Sequence, residues 1–155
     1  MRKGIETIRV ESARAADIPA LSDLLSVLFT QEAEFAPNPQ AQHRGLAGVI
    51  ANPDVGVVLV ARQGDHIAGM VNLLFTLSTA LGEKVALLED LVVSPATRGS
   101  GVGTQLLIQA IAAARMRGCK RITLLTDGSN AAAQRLYAKH GFAMSDMVPM
   151  RLALE

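Results

Sequence analysis

The segment Leu91-Val92-Val93-Ser94-Pro95-Ala96-Thr97-Arg98-Gly99-Ser100-Gly101-Val102-Gly103-Thr104 constrains the fold more than any other part of this 155-residue chain. A β-branched run stops at Pro95, three glycines follow at alternate positions, and helix-forming residues take over. Proline cannot continue a ladder, and glycine reaches backbone conformations closed to other L-residues. A strand entering such a turn leaves it as a helix whose first N–H groups have no intrahelical partner. With the positive end of the helix dipole they form an anion site, worth up to about 2 kcal/mol in favourable geometry. Arg98 adds a guanidinium fork suited to phosphate. The segment predicts a phosphate-containing ligand; a tight strand–helix turn that is merely glycine-rich is the simpler alternative.

Two nucleotide signatures fail here on spacing. A Walker A loop ends Gly-Lys-Ser/Thr, whereas Gly103-Thr104 has no lysine between its members. A dinucleotide fingerprint needs G-x-G-x-x-G, and Gly99-Ser100-Gly101-Val102-Gly103 brings its third glycine one residue early.

Around this turn the periodicities define a mixed chain. Ile8–Glu11 alternates as a short strand. Asp17 reads as an N-cap ahead of Pro19, with Leu21, Leu24, Leu25 and Leu28 at helical spacing over 18–31. A second helix is expected from about Ala41 to Ala51. Strands follow over Val55–Ala61, His66–Leu77 and Lys84–Val93, joined by turns at 63–65 and 78–83. A helix from Thr104 to Arg117 ends at Gly118. A strand follows over Arg121–Thr126, then a helix over Ala131–His140 ending at Gly141, and a last strand over Met147–Leu154 that Pro149 weakens. The order β-α-α-β-β-β-α-β-α-β describes an α+β fold in three α/β/α layers around one mostly antiparallel sheet, and residues 1–155 read as one domain.

Composition narrows the function. Trp is absent and Tyr and Phe number 1 and 4, so the core is aliphatic and no aromatic platform for single-stranded nucleic acid exists. Cys119, the one cysteine, forms no internal disulfide and no multi-cysteine zinc site, and His43, His66 and His140 lack metal spacing. No metal is expected. No apolar run approaches the ~20 residues of a membrane span, and Met1-Arg2-Lys3-Gly4 leads into no signal-peptide core, so a cytoplasmic protein with no membrane or nucleic-acid partner is expected. Residues 1–90 carry 7 Lys/Arg against 11 Asp/Glu, and residues 91–155 carry 8 against 3. One end of the chain is suited to a cationic ligand and the other to an anionic one.

Arg98-Gly99-Ser100-Gly101-Val102-Gly103 resembles the Q/R-x-x-G-x-G/A motif of the GCN5-related N-acetyltransferase (GNAT) superfamily. Asn130-Ala131-Ala132-Ala133-Gln134-Arg135-Leu136-Tyr137-Ala138-Lys139-His140-Gly141-Phe142 is similar to its N-x(6)-Y-x(3)-G-F pattern, and the likeness runs over essentially the whole chain. The resemblance implies acetyl-CoA as donor. It implies that the amides of Arg98, Gly99, Ser100, Gly101, Val102, Gly103 and Thr104 hold the pyrophosphate. It further implies that the exposed backbone of Leu91, Val92 and Val93 pairs with the pantetheine arm, admitted by a splay from the Arg121–Thr126 strand.

A lysine-like amine is neutral in about one molecule in ~2500 at pH 7, a handicap of roughly 4–5 kcal/mol that a base or a lowered amine pKa must offset. Glu89 and Asp90 are the candidates, and strand alternation would send them to opposite faces. Leu88-Glu89-Asp90 resembles a segment of diamine and related small-amine acetyltransferases, which favours Glu89 as base or amine anchor; an ion pair with Lys84 or Arg62 is the alternative. By the same resemblance Tyr137 lies near the departing sulfur and can donate a proton, with core packing as its alternative. Asn130 matches a cofactor-contacting position, although an N-cap role accounts for it almost as well. Acceptor contacts are expected from the Glu34–Arg44 loop. Met144, Met147 and Met150 read as core or interface filler. The expected reaction is direct acetyl transfer to a small cationic amine. The alternatives are a protein N-terminus or lysine as acceptor, or a non-catalytic acyl-CoA sensor. A homodimer is expected from family habit.

Overall fold

The computed structural model describes residues 7–32 and 34–155. Met1-Arg2-Lys3-Gly4, read above for a signal peptide, lies outside them. The elements in chain order are β1 (Ile8–Ser12), α1 (Ile18–Gln31), α2 (Pro39–Ile50), β2 (Gly56–Gln63), β3 (His66–Ser78), β4 (Glu83–Val93), α3 (Val102–Met116), β5 (Ile122–Leu124) and α4 (Ala131–Lys139). The sheet follows the sequence order β1-β2-β3-β4-β5. Its first three pairings are antiparallel and can be closed by short turns. The β4–β5 pair is parallel and therefore needs a crossover, which α3 supplies.

Alternation along β2 and β3 feeds two cores. Val57, Leu59, Ala61, Val71 and Leu73 face Leu106, Leu107 and Ala110 of α3. Val58, Val60 and Met70 face Leu21, Leu24 and Leu25 of α1 and Leu46 of α2. Each fully buried aliphatic side chain contributes about 1.5–3 kcal/mol, so both faces of the sheet must be covered. The three-layer reading holds. Close backbone approach makes Gly56 irreplaceable: a Cβ there would stand 2.3 Å from the Leu73 carbonyl oxygen. Gln42, buried on α2, donates from Nε2 to the Ser22 carbonyl and to the Ser22 and Ser26 hydroxyls, and its Oε1 accepts from the Asn38 N–H. That network fixes α2 against α1.

Several expectations are corrected. Asp17 precedes α1 but does not cap it, because the single 3-10 turn Ala15–Asp17 runs straight into the helix and leaves Asp17 with helical backbone angles. Its carboxylate instead accepts from the Arg14 N–H at 2.8 Å and from both Nη atoms of Arg62, at 3.0 and 2.6 Å. The Arg62 bonds hold the Asp17 carboxyl below its ordinary range, and burial works against them. Helix α2 starts at Pro39, where Asn38 caps it by accepting from the Ala41 N–H. Helix α3 starts at Val102, not Thr104, because Gly101 adopts a left-handed φ of 83° and turns the chain early.

The strand expected over Met147–Leu154 does not form; that segment has no regular structure. Pro149 lacks the N–H a ladder needs. Met144, Met147 and Met150 are accordingly exposed (Met150 at 96%), so they fill no core.

Candidate functional site

The site begins where β4 departs from regular pleating. Asn72 of β3 pairs with Asp90 and Leu73 pairs with Leu88, which leaves Glu89 without an opposite residue. This is a β-bulge, and it changes which way the acids face. Ala86 and Leu88 pack on the α3 side of the sheet, and so do Leu91 and Val93. Val92 packs on the α1/α2 side. Two residues, Glu89 and Asp90, thus occupy the single α1/α2-facing place between Leu88 and Leu91. The expectation that alternation separates them is overturned by the bulge.

Sharing a face, the two acids have different environments. Asp90 is buried, its Oδ2 accepting from Asn72 Nδ2 at 2.9 Å while its own N–H donates to Asn72 Oδ1 at 2.9 Å. Glu89 is exposed and lines a cleft of about 340 Å³. The ion-pair alternative for Glu89 finds no support among the described residues. Arg62 is engaged by Glu11 and Asp17, and the Lys84 ammonium lies 5.4 Å from the Phe75 ring centroid.

The bulge also ends the sheet on one side. Parallel pairing of β4 with β5 stops at Leu88 opposite Leu124, so β5 is confined to Ile122–Leu124 instead of the expected Arg121–Thr126. Past that point the β4 edge over Glu89–Val93 is open for about 13 Å, and the cleft lies in the gap. Leu28 and Glu32 from the end of α1, Asp127 and Asn130 ahead of α4, and Tyr137 on α4 complete its wall. The Glu34–Arg44 loop, expected to make acceptor contacts, contributes none of the cleft-lining residues. On this side the cleft is lined by Leu28, Gln31 and Glu32, which precede Glu34–Arg44, and Phe35 stacks obliquely on Phe29 at 5.6 Å.

Electrostatically the cleft is acidic. Glu32, Glu89 and Asp127 line it, and no lysine or arginine does among the described residues. Burial, with the charges of Asp127, Glu89 and Glu34, raises the Glu32 carboxyl above its ordinary range. Burial pushes Asp90 up to about 6, against the Asn72 hydrogen bond, with help from the Glu89 and Glu32 charges. Burial likewise raises the Tyr137 phenol, assisted by Glu32 and Asp90. Tyr137 therefore holds its proton at neutral pH, and its ring meets Phe142 edge-on at 5.8 Å. Glu32 and Asp127 were missed in the sequence, because nothing local signals that the end of α1 meets the β5–α4 loop.

The Asp90 shift has a measurable consequence. A carboxyl raised on folding binds more protons in the native state between the unfolded value near 4 and the folded value near 6. Stability from this group is thus greatest below pH 4, declines as pH rises to 6, and stays lower above it. Asp90→Asn keeps an acceptor for Asn72 Nδ2 and removes the charge. The variant should gain on the order of 2–3 kcal/mol relative to wild type at pH 8 and nothing at pH 3.5, read by urea unfolding at both. An equal difference at the two pH values contradicts the assignment.

At the far end of β4 the chain is pinned before it turns. The Ser94 N–H and the Thr97 hydroxyl both donate to the Ala68 carbonyl, and a single 3-10 turn spans Pro95–Thr97. Gly99 and Gly101 then take left-handed φ of 84° and 83°, while Gly103 is already helical. Ser100 donates its hydroxyl to the Thr97 carbonyl. None of the N–H groups of Arg98, Gly99, Ser100, Gly101, Val102, Gly103 and Thr104 donates to another group among the described residues. A Cβ at Gly99 or Gly101 would meet nothing within 4 Å, so these glycines answer to backbone conformation and to the open space before them. Arg98 is exposed, with no acidic partner among the described residues. This is the donor set a diphosphate requires. Asn130 uses its Oδ1 to accept from the Ala133 N–H at 3.1 Å, the capping role, which leaves its amide NH₂ for the cleft. Among the described residues no group of three or more His, Cys, Asp or Glu could hold a metal, and no helix is long and apolar enough to cross a membrane.

The Acetyltransferase (GNAT) family profile matches residues 18–142. The uncharacterized N-acetyltransferase YhfO of Bacillus subtilis is 30% identical over 87% of this chain and 89% of its own. The aminoalkylphosphonate N-acetyltransferase of Salmonella typhimurium is 29% identical over 86% of this chain and 83% of its own. Among solved structures, an integron cassette protein from the mobile metagenome of Cole Harbour Salt Marsh superposes with a TM-score of 0.82 at 26% identity, covering 94% of this chain and 90% of that one.

Proposed function

The chain belongs to the GNAT acetyltransferase family, and on that premise we propose that it acetylates the primary amine of a small cationic molecule, acting as a single domain with acetyl-CoA as donor. Acetyl-CoA supplies the activated acetyl group. The amides from Arg98 to Thr104 would hold its diphosphate, and the open edge at Leu91, Val92 and Val93 would pair with its arm, consistent with the unpaired amides of the turn and the end of β5 pairing at Leu88. Glu89, on the cleft wall, takes the proton that the amine must lose, at a carboxylate oxygen. Tyr137 keeps its hydroxyl proton for the departing thiolate. Asn130 orients groups at the cleft rim through its free NH₂.

The observation that carries the choice of acceptor is the cleft wall, where Glu32, Glu89 and Asp127 stand without a basic residue among the described ones. A protonated amine is drawn to such a wall. The Salmonella relative is named for an aminoalkylphosphonate acceptor, and an anionic phosphonate would meet repulsion from these acids. Tyr137 argues against a pure sensor, which needs no acid.

Release of free CoA across a panel of amines tests the reading. Diamines and polyamines should show kcat/KM at least about tenfold above aminoethylphosphonate, a difference of about 1.4 kcal/mol. The reverse ranking would overturn it. We also propose a homodimer through the C-terminal segment, where Met147, Val148, Met150, Leu152 and Leu154 stand exposed. Sedimentation equilibrium should give twice the chain mass; a monomer at micromolar concentration contradicts this.

A further inference from the structure

We infer that Asn72 is a positioning residue that locks the β4 bulge and thereby aims Glu89 into the acceptor cleft. A bulge leaves one strand with a residue that has no counterpart across the ladder, and the backbone groups beside it lose their regular partners. Here the Asp90 N–H donates to the Asn72 side chain, Oδ1 at 2.9 Å, beside the register shift. The same carboxamide returns a bond from Nδ2 to Asp90 Oδ2 at 2.9 Å. Asn72 and Asp90 thus close a two-bond ring across β3 and β4 at the register shift. Both residues are buried, Asn72 at 7% exposure and Asp90 at 9%, in a sheet whose neighbouring positions are aliphatic.

Such a pair is costly to place in a core unless both partners are satisfied, and no buried side-chain polar atom lacks a partner among the described residues. Asparagine suits the position because one side chain must accept from an N–H and donate to a carboxylate at once. Aspartate offers no donor when ionised, and leucine offers neither group. With the ring closed, Glu89 is the residue displaced from the ladder. It stands exposed on the cleft wall, beside the point where β4 parts from β5. With the ring open, regular pairing is free to reassert itself, and alternation would then carry Glu89 and Asp90 to opposite faces.

The inference rests on the reading of Glu89 as the base, so the test separates the two. Slow hydrogen exchange at the Asp90 amide reports the lock without any assay of activity. Asn72→Ala should speed that exchange at least about tenfold relative to the amides of Val58 and Val60 in the same protein. It should lower kcat about tenfold or more while the Kd for CoA stays within about twofold, because the turn at Arg98–Thr104 is untouched. Asn72→Asp sets two carboxylates face to face and should do the same at pH 8. The exchanged pair Asn72→Asp/Asp90→Asn restores one donor and one acceptor to each bond, and should recover slow exchange and kcat to within about threefold of wild type.

Should Asn72→Ala fail to fold, the exchanged pair alone decides. Its failure to protect the Asp90 amide overturns the lock, and so does wild-type exchange and kcat in Asn72→Ala or Asn72→Asp. If the Asp90 amide responds as described but kcat does not, Asn72 shapes the bulge without aiming Glu89 and the inference is contradicted. A wild-type protein that transfers no acetyl group to any amine defeats the functional reading instead, and leaves the exchange result standing.

Discussion

Tyr137→Phe is expected to lower kcat about a hundredfold or more while the Kd for CoA stays within about twofold. The substitution removes one oxygen and keeps the ring, so the edge-on contact with Phe142 at 5.8 Å survives and the end of α4 stays packed. On the role proposed for Tyr137, what is lost is the proton source for the thiolate that leaves when the acyl bond breaks. Free thiols have pKa near 8.5, so a thiolate can depart unassisted at pH 8, and the penalty belongs at the lower end of the usual range for a general acid. Burial among Glu32 and Asp90 keeps the phenol protonated, so wild-type activity should show no break from Tyr137 between pH 6 and 9. A kcat within twofold of wild type would return Tyr137 to the core-packing alternative.

Glu89→Gln should reduce kcat/KM about a hundredfold at pH 6–7, and less as pH rises toward 9. A primary amine with pKa near 10.4 is almost wholly protonated at pH 6.5, so the enzyme must remove a proton before the nitrogen lone pair can attack. At pH 9 a larger fraction is already neutral and the base matters less. Glutamine preserves size and hydrogen-bonding reach without accepting that proton. A ratio of wild type to variant that stays constant from pH 6 to 9 would assign Glu89 to holding the amine by charge, with no part in its deprotonation.

Both predictions concern residues that the sequence makes visible, yet their arrangement was only partly legible. The turn at Arg98–Thr104 could be read because its requirements are local: Pro95 ends a strand, Gly99 and Gly101 permit left-handed φ, and a helix must begin with free amides. The α1 stripe of Leu21, Leu24 and Leu25 was legible for the same reason, since helical spacing is set within one element. The bulge was not. Its cause lies in the pairing of Asn72 with Asp90, 18 residues apart, and no pattern along β4 alone marks Glu89 as the unpaired residue. Glu32 and Asp127 were hidden similarly, for they meet only once α1 and the β5–α4 loop are brought to the same cleft. In the missing last strand Pro149, which already weakened the strand expected over Met147–Leu154, was the better guide. Asp17 shows the converse, a residue of capping type whose carboxylate is claimed by Arg62, 45 positions away.

In the proposed reaction the backbone amides between Arg98 and Thr104 grip the diphosphate of the acetyl donor. Titration of ¹⁵N-labelled protein with CoA, followed by amide chemical shifts, addresses it most directly. The largest downfield amide proton shifts are expected at Gly99, Ser100, Gly101, Val102 and Gly103, saturating with one CoA per chain. Saturable CoA binding that leaves those five amides unmoved, or no binding at millimolar CoA, would contradict it.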